Sequence, residues 1–105
     1  MKPSELTGAA LDWAVSKTFE PGTYWTSFEH LETFKPSTDW AQGGPIIERE
    51  GIALRRFLET GWEADRWQFK FAEPTATGPT PLIAAMRCYV ASKLGEDVSI
   101  PEELT

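Results

Sequence analysis

The residues of this chain most capable of chemistry are few, and their spacing does not gather them into a site. There is one histidine, His30, and it stands in Glu29-His30-Leu31-Glu32. Neither a His-Glu-x-x-His pair nor a cysteine and histidine cluster accompanies it, so no metal is expected. Cys88 is the one cysteine. It follows Arg87 inside a helical pattern, where a small buried residue is the default. Nucleophilic catalysis would have to pair His30 with Cys88 or a serine, and nothing in the spacing positions them. A hydrolase built on two carboxylates stays formally open, yet sixteen acidic residues always supply candidate pairs. The chain is therefore read as non-enzymatic, with no cofactor and no metal.

The segment Asp39-Trp40-Ala41-Gln42-Gly43-Gly44 is a better candidate for binding than for catalysis. Glycines ahead of a helix start can bring backbone N–H groups to an anion. However, no lysine or Ser/Thr follows in P-loop fashion, and the Gly-x-Gly-x-x-Gly pattern of nucleotide folds is absent. What remains is a large aromatic beside flexible backbone, on a stretch expected to be loop-like. Asp39, Trp40, Gln42, Gly43 and Gly44 are the candidate binding residues. Pro36, Thr38 and the Gly78-Pro79-Thr80 stretch are expected nearby. A core role for Trp40, plugging the interior beneath the loop, is the competing reading.

Charge narrows the partners. The net charge is −6, unevenly spread: residues 1–48 carry three Lys/Arg against seven Asp/Glu, residues 49–93 seven against five, and the remainder four acids alone. A protein that neutralises phosphates needs a basic stripe, so direct nucleic-acid binding is not expected. A single cysteine fits a reducing compartment. The N-terminus lacks the apolar core of a signal peptide, and no apolar run approaches the ~20 residues that span a bilayer. The expectation is a cytoplasmic protein with no membrane partner. Nothing in the sequence fixes an oligomeric state.

At 105 residues there is room for one domain, 1–105. Its five tryptophans can each bury roughly 200 Å². Apolar spacing predicts a first helix over Ser4 to Lys17, with Ser4 or Thr7 as cap. Glu20-Pro21-Gly22 reads as a turn, and Thr23 to Phe28 as a short strand. Asp39 and Gln42 make a capping-box pattern. With Gly43-Gly44-Pro45 interrupting, one helical turn is expected after Asp39, then a short helix from Pro45 ending at Gly51. A hairpin follows, with strands over about 52–58 and 62–72; Trp67, Phe69 and Phe71 alternate with polar residues in the second. Glu59-Thr60-Gly61 would join them, with glycine at a positive-φ position. Glu73 to Thr80 reads as a loop. Thr80-Pro81 opens the last helix, which ends at Gly95. Residues 96–105 read as a loose acidic tail.

The fold class is thus α+β: a small antiparallel sheet packed by N-terminal and C-terminal helices plus one short helix. A three-layer α/β/α sandwich is the alternative if both sheet faces are apolar.

Three stretches carry a family resemblance: 4–15 (SELTGAALDWAV), 37–48 (STDWAQGGPIIE) and 79–87 (PTPLIAAMR). They resemble the NinX-like family of small phage and prophage proteins. A looser likeness, through the Ser-Thr-Asp helix start and the late alanine-rich helix, is to a phage α/β/α sandwich domain. Residues 21–32 and the tail match neither. The resemblance implies a phage or prophage accessory role, and it brings no catalytic or binding residues with it. Size, acidity and missing catalytic parts favour action through contact with a host or phage protein. A small-molecule or nucleotide module with an aromatic-lined pocket is the alternative.

Overall fold

The computed structural model describes residues 1–18, 33–66, 75–95 and 97–104. Its elements are a 3-10 turn at Pro3–Glu5, helices α1 (Gly8–Ser16), α2 (Trp40–Glu50) and α3 (Pro81–Leu94), strands β1 (Ile52–Phe57), β2 (Gly61–Arg66) and β3 (Thr75–Gly78), and a last 3-10 turn at Glu102–Leu104. The expected Glu20-Pro21-Gly22 turn, the 23–28 strand, residues 67–72 with Trp67, Phe69 and Phe71, and His30 lie outside the described residues.

Helix α3 organises the rest because apolar side chains occupy nearly its whole circumference. Leu82, Ala84, Ala85, Met86, Cys88, Tyr89 and Val90 are all buried. Such a helix must be covered on several sides. The sheet, α1, α2 and the first 3-10 turn all pack against it. Both ends form as the sequence predicts: the Thr80 hydroxyl accepts from the Ile83 N–H at 3.1 Å, Pro81 sits at the first position, and Gly95 follows the last turn.

The sheet is antiparallel in the order β1-β2-β3. Ile52 of β1, Ala64 of β2 and Ala76 of β3 belong to the same core as α3. Alanines at the paired positions 64 and 76 leave room for the helix to lie close. The other face is polar: Arg55 reaches Glu63 and Asp65, each at 2.7 Å. Among the described residues, then, the helices gather on one face, and the two-layer α+β form is the one observed.

Four details depart from the sequence reading. Helix α1 starts at Gly8, not Ser4, because Leu6 is extended and wholly buried while Gly8 takes φ +55°. Helix α2 runs unbroken through Gly43-Gly44-Pro45. A proline inside a helix costs ~3 kcal/mol, removing here the N–H that would bond to the Ala41 carbonyl. Tertiary packing outweighs it, since Ile46 just beyond is buried in the core. In the hairpin, Leu58 takes the positive φ (59°), and Gly61 instead begins β2, paired with Phe57. A Cβ at Gly61 would lie 3.1 Å from the Phe57 carbonyl oxygen, a tight contact that asks the strand pair to give by a few tenths of an ångström. Finally, 75–78 is a strand rather than loop: the second edge of β2 pairs with four residues in which strand-favouring Thr75 and Thr77 alternate with Ala76 and Gly78.

The acidic tail has an anchor. The Met1 ammonium donates to the Val98 carbonyl at 2.8 Å, the Val98 N–H returns a bond to Met1, and the Val98 side chain is buried. Ile100 and Leu104 pack against the core as well. At the C-terminal end of α3, Glu50 at the end of α2 meets Arg66 of β2 at 3.0 Å and Lys93 of α3 at 3.5 Å. Burial raises the Glu50 carboxyl, but Arg49, Lys93 and Arg66 outweigh it and hold it below its ordinary value.

Candidate functional site

The segment leading into α2 is fastened at several points. Asp12 of α1, itself buried, accepts from the Ser37 N–H at 2.9 Å. Burial pushes the Asp12 carboxyl above its ordinary value, opposed by the Ser37 hydroxyl, the Ser37 N–H and the charge of Lys35. That hydroxyl lies close enough to favour the charged carboxylate, yet it is buried without a hydrogen bond of good geometry. Asp39 caps α2, accepting from the Ala41 N–H at 3.0 Å.

Gln42 has a different job from the one its spacing suggested. In a capping box its side chain would reach back to the Asp39 N–H; that N–H instead donates to the Lys35 carbonyl at 2.8 Å. The Gln42 amide nitrogen donates to the Thr33 carbonyl at 2.7 Å and to the Asp39 carboxylate at 2.9 Å. Its oxygen accepts from the Lys35 N–H at 3.0 Å. One side chain thus ties both ends of the 33–35 segment to the first turn of the helix.

The two glycines also differ. A Cβ on Gly43 would fall 2.4 Å from the Pro36 carbonyl oxygen and 2.6 Å from Leu82 of α3, so this position is where α2, the 33–39 segment and α3 come into contact. A Cβ on Gly44 would meet nothing within 4 Å. Packing demands glycine at 43 and makes no demand at 44.

Trp40 points outward. It is 54 % exposed, which excludes the reading that it plugs the core. With Ser37, Thr38, Thr80, Pro81, Leu82 and Ile83 it lines a shallow, mostly apolar groove of ≈ 210 Å³ between the starts of α2 and α3. The expected nearness of Thr38 and Thr80 is therefore observed. The other groove walls, Pro81 and Ile83, were not legible, because no periodicity relates position 40 to position 81. A second hollow of ≈ 220 Å³ lies at the hairpin tip, lined by Phe57, Leu58, Thr60, Gly61, Thr77, Gly78 and Pro79. Leu58 there is 80 % exposed. The β3–α3 junction at Pro79-Thr80 separates the two hollows, so large apolar side chains are displayed on both sides of it. The pattern around the turn gave no hint that Leu58 would be bare.

Of the candidate residues, Asp39, Gln42 and Gly43 build the scaffold, while Trp40 and Gly44 face outward. Cys88 is wholly buried, and burial pushes its thiol up to about 11, with Asp65 adding to the shift and Arg66 opposing it; such a thiol is a poor nucleophile. Among the described residues no group of three or more His, Cys, Asp or Glu side chains is placed to hold a metal. No helix among them is long and apolar enough to cross a membrane.

The family model described as Bacteriophage P22, NinX matches residues 2–93, which takes in the described strands and, but for Leu94 at the end of α3, the described α-helices. No curated protein matches the chain significantly.

Proposed function

We propose that this chain, which belongs to the phage NinX family, is an accessory protein that acts by docking a host or phage protein on the surface around Trp40. The observation that carries the reading is the contrast at the start of α2. An indole more than half exposed stands on the first turn of α2, whose residues Asp39, Gln42 and Gly43 are all committed to the scaffold beneath it. Leaving so large an aromatic in water forgoes ~1 kcal/mol or more of burial. A rigid scaffold beneath it lowers the ordering cost of binding. Tryptophan is among the residues that most often dominate protein interfaces. The reading places the protein in the host cytoplasm and assigns it neither catalysis nor direct contact with nucleic acid, in keeping with its −6 charge.

A small-molecule pocket is the weaker reading. Ligand sites usually offer ~300–1,000 Å³ and enclose most of the ligand, whereas this groove holds ≈ 210 Å³ and is shallow. The test is affinity capture from nuclease-treated host lysate, with and without phage induction. Tagged wild type is compared with Trp40→Ala, and circular dichroism confirms that the variant folds. A stoichiometric protein retained by the wild type and lost with Trp40→Ala is the expected result. Equal capture by both removes the assignment to this surface.

A further inference from the structure

The docking reading above leaves the partner's chemistry open, and the aromatic rings narrow it. Three tryptophans fall among the described residues, and two of them carry a cation from the chain itself. Lys17 lies 5.3 Å over the Trp13 ring and Arg56 lies 5.2 Å over Trp62. Tyr89 is covered likewise by Arg49, at 6.0 Å. Trp40 is more exposed than either of the other two tryptophans, and among the described residues no cation sits on its ring. Nor has the chain a spare arginine nearby to supply one. Arg49 and Arg66 are held by Glu50, Arg55 by Glu63 and Asp65, and Arg87 by the Leu6 and Thr77 carbonyls.

Charge points the same way. The starts of α2 and α3 contribute roughly half a positive charge each to the groove, and the Asp39 carboxylate at the first of them offsets that sum. The long-range field then follows the chain as a whole, which carries −6. A field of that sign steers cationic segments toward the surface.

Resting on the docking reading, we infer that the groove takes a basic, apolar-flanked segment of a partner protein. An arginine or lysine lies over the free face of Trp40, and an adjacent apolar side chain seats against Pro81 and Ile83. The indole quadrupole supplies the attraction for the cation, and the groove wall supplies the apolar contact.

The test uses full-length ¹⁵N-labelled protein and short synthetic peptides of one leucine- and glycine-bearing framework, differing only in having arginine, glutamine or glutamate at the same positions. The Trp40 indole N–H resonance is assigned by its loss in Trp40→Phe. The arginine peptide is expected to shift that resonance and to bind roughly tenfold more tightly than the glutamine peptide, with the glutamate peptide weakest. Trp40→Leu, which keeps apolar bulk but no π-face, is expected to erase the preference for arginine. Equal binding of the arginine and glutamine peptides at Trp40 overturns the cationic partner and leaves the docking surface standing. A shift that tracks protein concentration instead of peptide makes a second copy the occupant and overturns it as well. No shift with either peptide at millimolar concentration also overturns it. The docking reading itself is judged separately, by whether capture from lysate depends on Trp40.

Discussion

Helices α2 and α3 begin alike and differ in everything between their ends. Each has a capping side chain at its start, Asp39 or Thr80, and glycine just past its end, Gly51 or Gly95. In α3 every level of description agrees: caps, helix-forming residues and apolar circumference all specify one buried helix. In α2 the middle contradicts the ends, since Gly43-Gly44-Pro45 are poor helix formers in succession. The helix is continuous nonetheless, and the reason lies outside it. Gly43 touches Pro36 and Leu82, and Ile46 enters the core. The difference teaches that α3 is a helix by its own sequence, while α2 is a helix by its neighbours. It also shows where the weak helix former is needed, at 43, and where packing does not ask for one, at 44.

The largest effect should come from breaking the close approach in α2. Gly43→Ala places a methyl group against the backbone oxygen of Pro36, which cannot rotate aside, and against Leu82. Overpacking of this kind costs ~1–3 kcal/mol. A chemical-denaturation midpoint equal to wild type would show that the 33–39 segment yields freely. The neighbouring change is of a different kind. Gly44→Ala meets no tertiary neighbour and gains the ordinary helix preference of Ala over Gly, but a side chain on the helical residue before Pro45 is disfavoured by the proline ring. The two contributions oppose each other, so the net change should stay within ~0.5 kcal/mol. A loss as large as that of Gly43→Ala would mean that position 44 is packed after all. The pair sharpens the comparison, because adjacent and chemically identical substitutions are expected to differ clearly in size.

Much of the architecture was legible because it rests on local signals. The cap and proline at Thr80-Pro81, the terminator at Gly51 and the pairing of residues 52–57 with 61–66 all follow from residues close together in the chain. The misses share a cause. Strand β3 exists because β2 has a second edge, α2 continues because distant residues support it, and Leu6 leaves the helical stripe to be buried in the core. The site shows the same division. Residue types at 39–44 marked a segment that sets a large aromatic beside glycines, and the structure leaves Trp40 exposed there. Which of its members face inward depends on Thr33, Lys35, Pro36 and Leu82, and the groove needs Pro81 and Ile83 from the far end of the chain. No pattern of spacing contains that information.

The central claim is that the 39–44 segment divides into residues that hold the fold and a tryptophan that does not. Equilibrium unfolding of Trp40→Ala tests it most directly, because an exposed side chain outside the packing should change stability by no more than ~0.5 kcal/mol. A midpoint and slope matching wild type, beside a Gly43→Ala variant that is clearly weakened, is the predicted result. A loss from Trp40→Ala of ~3 kcal/mol or more, the range typical of a buried aromatic, would place the indole in the core and contradict the account.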